Sequence, residues 1–269
     1  MPRYKLTLEY AGSRYSGWQI QANARTVQGE LHRAIRDVLR TDRFETCGSG
    51  RTDAGVHALG QVAHLDAASL PPPRTLIARV NDALPADINL LAAERVSPRF
   101  HARHSARARS YLYQIARRRT AFGKPFVWWI KDDLDVTRMR EAASSLVGLK
   151  DFRGFTDDDP EEKSTKVQID EVTIVDAGAL LLIRVVGSHF LWKMVRRFAG
   201  VLAEVGRGQL APGDVPTLLI GRSDLPARLT APASGLFLER VLYTEGETLP
   251  AIKPATAVLG DWEIGKLGD

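Results

Sequence analysis

Apolar and polar residues alternate at the start of the chain. Tyr4, Leu6, Leu8 and Tyr10 are set against Arg3, Lys5, Thr7 and Glu9, the period of a strand with one buried face. Gly12 and Gly17 loosen the next stretch, and Thr26 stands where a helix N-cap is expected. From there Val27, Leu31, Ala34, Ile35, Val38 and Leu39 recur at helical spacing, while Glu30, Arg33, Arg36, Asp37 and Arg40 face outward. Strands at about 43–47 and 61–65 flank a glycine-rich loop. The run Pro71, Pro72, Pro73 breaks the chain before a helix through Leu76, Val80 and Leu84, which Pro85 stops. Residues 88–96 read as a further strand, so the order is strand, helix, strand, strand, helix, strand.

The second half repeats that order. Tyr111, Tyr113 and Ile115 alternate as a strand, and residues 136–147 suit a helix ended by Gly148. Residues 167–175 and 180–186 form two strands joined near Gly178. Ser188 is expected to cap an amphipathic helix with Phe190, Leu191, Met194, Val195, Phe198, Val201, Leu202 and Val205 on its apolar arc, closed by Gly206. A short helix at about 215–220 and a strand at 236–243 follow. Two successive split βαβ arrangements predict an α+β chain of two ferredoxin-like, RNA-recognition-like lobes in a pseudo-two-fold relation, with a groove between them. The expected boundaries are 1–104, 105–243 and a C-terminal extension, 244–269, whose prolines, glycines and mixed charge suit an extended segment packing back through Trp262.

Composition narrows the class without naming an activity. The 269 residues are 44% hydrophobic and 26% charged, ordinary for a globular chain, and the net charge of +5 favours a polyanionic partner only weakly. A single cysteine, Cys47, cannot form an intramolecular disulfide and fits a reducing compartment as a small buried strand residue. The start, MPRYKLTLEY, has no apolar signal core, and no run approaches the roughly 20 apolar residues that span a bilayer. A cytoplasmic enzyme or binding protein is the expectation.

Two stretches carry candidate chemistry. Residues 48–64 read GSGRTDAGVHALGQVAH, in which four glycines surround Arg51 and Asp53. If 51–53 is extended, these two side chains share a face, a guanidinium beside a carboxylate. For an arbitrary Arg-x-Asp the ordinary outcome is a structural ion pair, but here a strand leads away from a loop whose glycines permit close approach. Residues 97–119, SPRFHARHSARARSYLYQIARRR, hold seven arginines and no acidic residue, interleaved with Phe100, Tyr111 and Tyr113. Cations with planar side chains suit RNA, and composition alone leaves a solvated face equally open.

The segment GRTDAGVHA followed by QVAH resembles the signature of the TruA-type tRNA pseudouridine synthases. The resemblance implies that Asp53 is the catalytic aspartate, with Arg51 its neighbour. It implies tRNA contacts from Phe100, His101 and Arg103 of FHAR, and a base-stacking role for Tyr111, the first tyrosine of Arg109-x-Tyr111-x-Tyr113. Core packing is the better account of Tyr113. The family's Met-Val-Arg pattern falls on Met194, Val195 and Arg196, so Arg196 is expected to reach the catalytic carboxylate and Arg197 to be exposed. APASGLFLERV supplies Leu238 for the uridine pocket. The fold implied is one long, mostly antiparallel sheet with flanking helices and a central basic cleft.

The activity implied is conversion of uridine to pseudouridine in the tRNA anticodon stem-loop, at tRNA positions 38, 39 and 40, by a homodimer with no membrane association. The reaction has no net redox change, so no cofactor is expected. No metal is expected either. A site from Asp53, His57, His64 and Asp66 would lack helical ligand spacing, and the arginine beside Asp53 repels a cation. His57 is expected in the loop near RNA, and His64 in a strand making one hydrogen bond. The chain departs from the family pattern at Lys150, Lys166 and Trp192-Lys193, and the acidic stretch 157–162 reads as a mobile loop. A nucleoside or glycoside hydrolase, which ordinarily needs a second carboxylate, and a non-catalytic RNA-binding protein are the alternatives.

Overall fold

The computed structural model describes residues 1–159, 161–162, 164–220 and 223–258. Trp262 and the role expected of it lie outside the described residues. In chain order the elements are β1 (Arg3–Tyr10), α1 (Val27–Leu39), β2 (Phe44–Gly48), β3 (His57–Ala67), α2 (Pro73–Ala83), β4 (Ile88–Val96), β5 (Ala108–Ala116) and β6 (Trp128–Trp129). There follow α3 (Val136–Ser144), β7 (Gly148–Asp151), β8 (Lys166–Ala177), β9 (Leu180–Gly187), α4 (Met194–Gly206), α5 (Val215–Leu218), α6 (Leu225–Arg228) and β10 (Leu236–Leu242). The result is a mixed α/β fold in which most strand pairs are antiparallel and helices flank the strands.

The chain divides into two compact units. The first comprises Met1–Ser110 with Phe237–Thr248, and the second Tyr111–Leu236 with the segment from Leu249 on. In the first, β1 lies between β4 and β3, antiparallel to both. The far edge of β3 is shared: β2 pairs antiparallel with residues 63–67, and β10 pairs parallel with His57 and Ala58. Strict alternation on β1 buries Tyr4, Leu6, Leu8 and Tyr10, and Leu31 and Ile35 of α1 and Leu76 and Val80 of α2 are buried as well. Thr26 caps α1, its Oγ1 accepting from Gly29 N at 3.2 Å. β3 begins at His57, four residues earlier than its apolar pattern predicts, because β10 extends its pairing.

In the second unit β5 continues from Tyr111, with β9, β8 and β7 following in order and β6 parallel to β5. Helices α3 and α4 pack so closely that a Cβ on Gly206 would lie 2.8 Å from Met139 Sδ. Phe152, Phe155 and Phe198 form an aromatic cluster beside them. Two expectations are corrected here. The helix predicted over 136–147 stops at Ser144, and Gly148, at φ 105°, turns the chain into β7. Ser188 is not a helix cap. Helix α4 starts at Met194 after Lys193, whose φ of 60° breaks the helical path, so Phe190 and Leu191 precede it.

Candidate active site

Asp53 lies in residues 49–56, between β2 and β3, a loop fixed on several sides within the first unit. Ser49 N donates to Val62 O at 2.7 Å, and Ser49 Oγ donates to Gln61 Oε1 at 2.8 Å. The fully buried Gln61 amide reaches on to Gly50 O at 3.3 Å. Thr52 points inward, its Oγ1 2.8 Å from the Tyr10 hydroxyl, which burial keeps protonated far above the usual tyrosine range. Thr52 is buried between exposed Arg51 and half-buried Asp53, the alternation an extended 51–53 predicts.

The segment 12–18 clamps the same loop from outside. Trp18 N donates to Thr52 O at 3.0 Å, Gly55 N to Tyr15 O at 3.3 Å, and Gly12 N to His57 Nδ1 at 3.0 Å. Glycine is required where these backbones meet. A Cβ on Gly12 would stand 1.9 Å from Val56 O, and one on Gly17, at φ 92°, 2.6 Å from Thr52 O. Val56 N donates to Asp53 O at 3.1 Å and closes the turn. The carboxylate therefore sits on a short path with its neighbours' backbone groups already satisfied, the setting that holds a reacting group in one geometry.

His57 is corrected. It is a buried β3 residue, stacked on Phe237 at 4.8 Å and accepting from Gly12, so it braces the loop and does not face outward. His64, also in β3, accepts from Ala102 N at 3.1 Å through Nδ1. Burial, with Arg3 adding to it, pushes its pKa down to about 4. His101 lies edge-on to His64 at 4.8 Å, and its own Nδ1 accepts from Arg103 N and His104 N, both at 3.2 Å. Phe100 packs against Tyr243 at 5.0 Å, and Arg103 is exposed. Arg109 Nη2 donates to Ser49 O and Arg103 O at 3.0 and 2.8 Å, tying the FHAR turn to the start of the aspartate loop.

Potential ligand atoms of Cys47, His64 and His101 lie within 4.8 Å of one another. Both imidazoles accept backbone N–H bonds at Nδ1, so each carries its proton on Nε2 and has no free lone pair for a metal. Arg3, Arg51 and Arg103 add positive potential at the Cys47 thiol, while burial pushes the thiol up and keeps it neutral. The cluster does not fit a cation.

In the second unit Tyr111 is half-buried on β5, its ring edge-on to Phe190 at 5.0 Å. Tyr113 is core, as expected: fully buried, its hydroxyl donating to Pro232 O at 2.7 Å and its ring against Trp128. Arg196, half-buried on α4, donates from Nε to Ala231 O at 2.7 Å, and Ala231 N returns a bond to Arg196 O at 3.1 Å. Arg197 is corrected. It is 2% exposed and ion-paired with Asp157, which also takes Lys193 Nζ at 2.9 Å. Burial tends to raise the Asp157 pKa, and these two cations outweigh it and bring it below the usual range. Asp158 accepts from Trp192 N at 3.0 Å, so Asp157 and Asp158, expected in a mobile loop, are tied to the start of α4. Leu238, in the first unit, is buried on β10 beside Ala58.

Comparison with known sequences places this arrangement. A profile of the tRNA pseudouridine synthases matches residues 7–105 and 142–244. The chain belongs to that family. Relatives named tRNA pseudouridine synthase A include those of Bacillus licheniformis, 39% identical over 244 residues, Moorella thermoacetica, 40% over 247, and Sinorhizobium fredii, 42% over 248. Each alignment takes in 90% of this chain and 99–100% of the relative. The matched segments of this pseudouridine synthase family member hold Asp53, Phe100, His101, Arg103, Arg196 and Leu238, whereas Tyr111 and the loop after it fall between them.

The sequence pattern alone did not single out Gln61, Tyr10 and the glycines of the 12–18 segment as the supports of the aspartate loop. Tyr10 meets the loop across 42 positions of sequence, so no local period marks it.

Proposed function

We propose that this chain converts uridine to pseudouridine in tRNA, with Asp53 as the reacting carboxylate. The observation that carries the proposal is the GRTDAGVHA loop, whose flanking backbone is fastened to β1, β3 and the 12–18 segment while Asp53 stays half-exposed. Family membership supports the same reading.

The reaction breaks the glycosidic bond, turns the uracil and rejoins it through carbon-5. Electrons balance without an external redox partner. Asp53 begins it by attack on the anomeric carbon, addition to the pyrimidine ring, or abstraction of a ribose proton to give a glycal. All three routes require the ionised carboxylate, which a guanidinium group brought beside it favours. By the family motifs Arg51 and Arg196 take that part, Tyr111 stacks on the base and Leu238 lines the uridine pocket. Because a helical stem hides the reacting atoms, the nucleotide leaves its stack, at a cost of a few kcal/mol offset by phosphate contacts. Phe100, His101 and Arg103 are assigned to tRNA.

The anticodon stem-loop as the modified region, a homodimer as the working form, two related lobes lining a basic cleft, and a cytoplasmic setting complete the proposal by family resemblance. Among the described residues no helix is long and apolar enough to cross a membrane. The test is incubation with tRNA carrying 5-tritiated uridine, followed by mapping of modified positions. Tritium release with pseudouridine in the anticodon arm is the expected result. Free uracil would instead mean hydrolysis, and binding without release a non-catalytic RNA-binding protein.

A further inference from the structure

The connection between the parallel strands β5 and β6, residues 117–127, reads RRRTAFGKPFV, with four cations and no acidic residue. It lies outside the segments matched to the family profile. Phe122 is 97% exposed, the most solvated large apolar side chain among the described residues. An aromatic ring left in water on a loose loop would ordinarily fold onto nearby apolar surface. Here the loop is built so that it does not. Gly123 N donates to Thr120 Oγ1 at 3.1 Å, and Phe126 N to Gly123 O at 2.8 Å. Gln114, fully buried, donates to Phe126 O at 3.0 Å, and Ser234 Oγ donates to Val127 O at 3.1 Å. Val258 packs against Gly123, where an added Cβ would lie 3.1 Å from its Cγ2. Thr120 and Gly123, which bracket Phe122, are thus tied down, and the ring between them stands in solvent.

Cations flank it along the chain. Arg119 lies over the half-exposed Trp129 ring at 5.9 Å, Lys124 is exposed, and Arg118 reaches the backbone at Arg119 O. Arg117 is paired with Asp176 at 2.9 Å and belongs to the scaffold. A projecting aromatic ring on a loop that also carries guanidinium and ammonium groups matches the two faces of an unpaired nucleotide, a π-surface for stacking and a phosphate for charge.

We propose that Phe122, with Arg118, Arg119 and Lys124, forms an RNA-contact surface that stacks on an unpaired base of the tRNA, separate from the residues assigned to the reacting uridine. This rests on tRNA as the substrate. The test measures tRNA binding by filter retention at two salt concentrations, pseudouridine formation at saturating enzyme, and sedimentation, for the full chain and its variants. Phe122→Ala is expected to weaken tRNA binding about tenfold, leaving the rate at saturation and the salt slope unchanged, with Phe122→Trp restoring affinity. Lys124→Ala is expected to lower the salt slope by about one. Phe122→Ala with unchanged tRNA affinity overturns the proposal, and altered sedimentation in that variant would mark a protein contact instead. A wild-type chain that binds tRNA through Phe122 but makes no pseudouridine would sink the catalytic reading and leave this surface standing.

Discussion

Replacing Gly12 with alanine tests whether the clamp on the aspartate loop matters to the chemistry. The new Cβ would stand 1.9 Å from Val56 O and 2.5 Å from Val56 C, against a floor of 3.0 Å for real Cβ contacts. The two backbones must therefore separate by about 1.1 Å, and no flexible side chain is there to yield instead. Val56 ends the turn that its own N–H closes on Asp53 O, so the displacement is passed to the carboxylate. Moving a reacting group by about 1 Å costs on the order of 10²-fold in rate, or about 2.7 kcal/mol of barrier. Overpacking adds about 1–3 kcal/mol of instability, and weakening the Gly12 N bond to His57 about 1 more. The assay pairs kcat on tRNA with thermal unfolding. Gly50→Ala is the control, because its Cβ meets nothing within 4 Å, and it should match or exceed the wild-type melting temperature. A Gly12→Ala protein with unchanged kcat would refute the argument that this contact positions Asp53.

Other expectations follow from the rest of the chain. Deleting the segment from Leu249 removes Pro250 O from the buried Arg184, and Ala255 N and Thr256 Oγ1 from the buried Gln114. The urea midpoint should fall by the equivalent of about 1–3 kcal/mol, and an unchanged midpoint would show these bonds to be idle. Asp157→Ala leaves the Arg197 guanidinium buried without its ion pair and should destabilise by about 1–4 kcal/mol, with Arg197→Met in the same chain recovering part of it; additive losses would contradict the pairing. His64 gives a pH dependence. Its folded pKa, near 4, is depressed below the ordinary 6.5, so the unfolded chain takes up the proton first. Stability from this group is complete above about pH 6.5 and declines as pH falls toward 4, by up to about 3 kcal/mol, and His64→Gln should flatten that part of the profile.

Local patterning wrote much of the fold into the sequence. The alternation of β1 and the Thr26 cap of α1 are properties of short windows, and they stand as read. The misreadings occur where distant residues override the window. Apolar periodicity runs unbroken from Phe190 into α4, but Asp157 and Asp158, some 34–40 positions away, hold Trp192, Lys193 and Arg197, and the helix starts at Met194. His57 looked like part of a glycine loop because its partners, Gly12 and Phe237, come from opposite ends of the chain. In the Arg196-Arg197 doublet nothing local says which guanidinium is buried, and only Asp157 decides it. β6, two residues long, is too short for any period to register. At the candidate site the motif named Asp53, whereas its supports on β1, β3 and the 12–18 segment became visible only as hydrogen bonds.

The central claim is that one carboxylate performs the chemistry while other groups hold the RNA. Asp53→Asn keeps the side chain's size and removes its charge. Incubated with tRNA carrying 5-tritiated uridine, the variant should release no tritium above background yet bind the tRNA within about threefold of wild type. Tritium release at the wild-type rate would contradict the account.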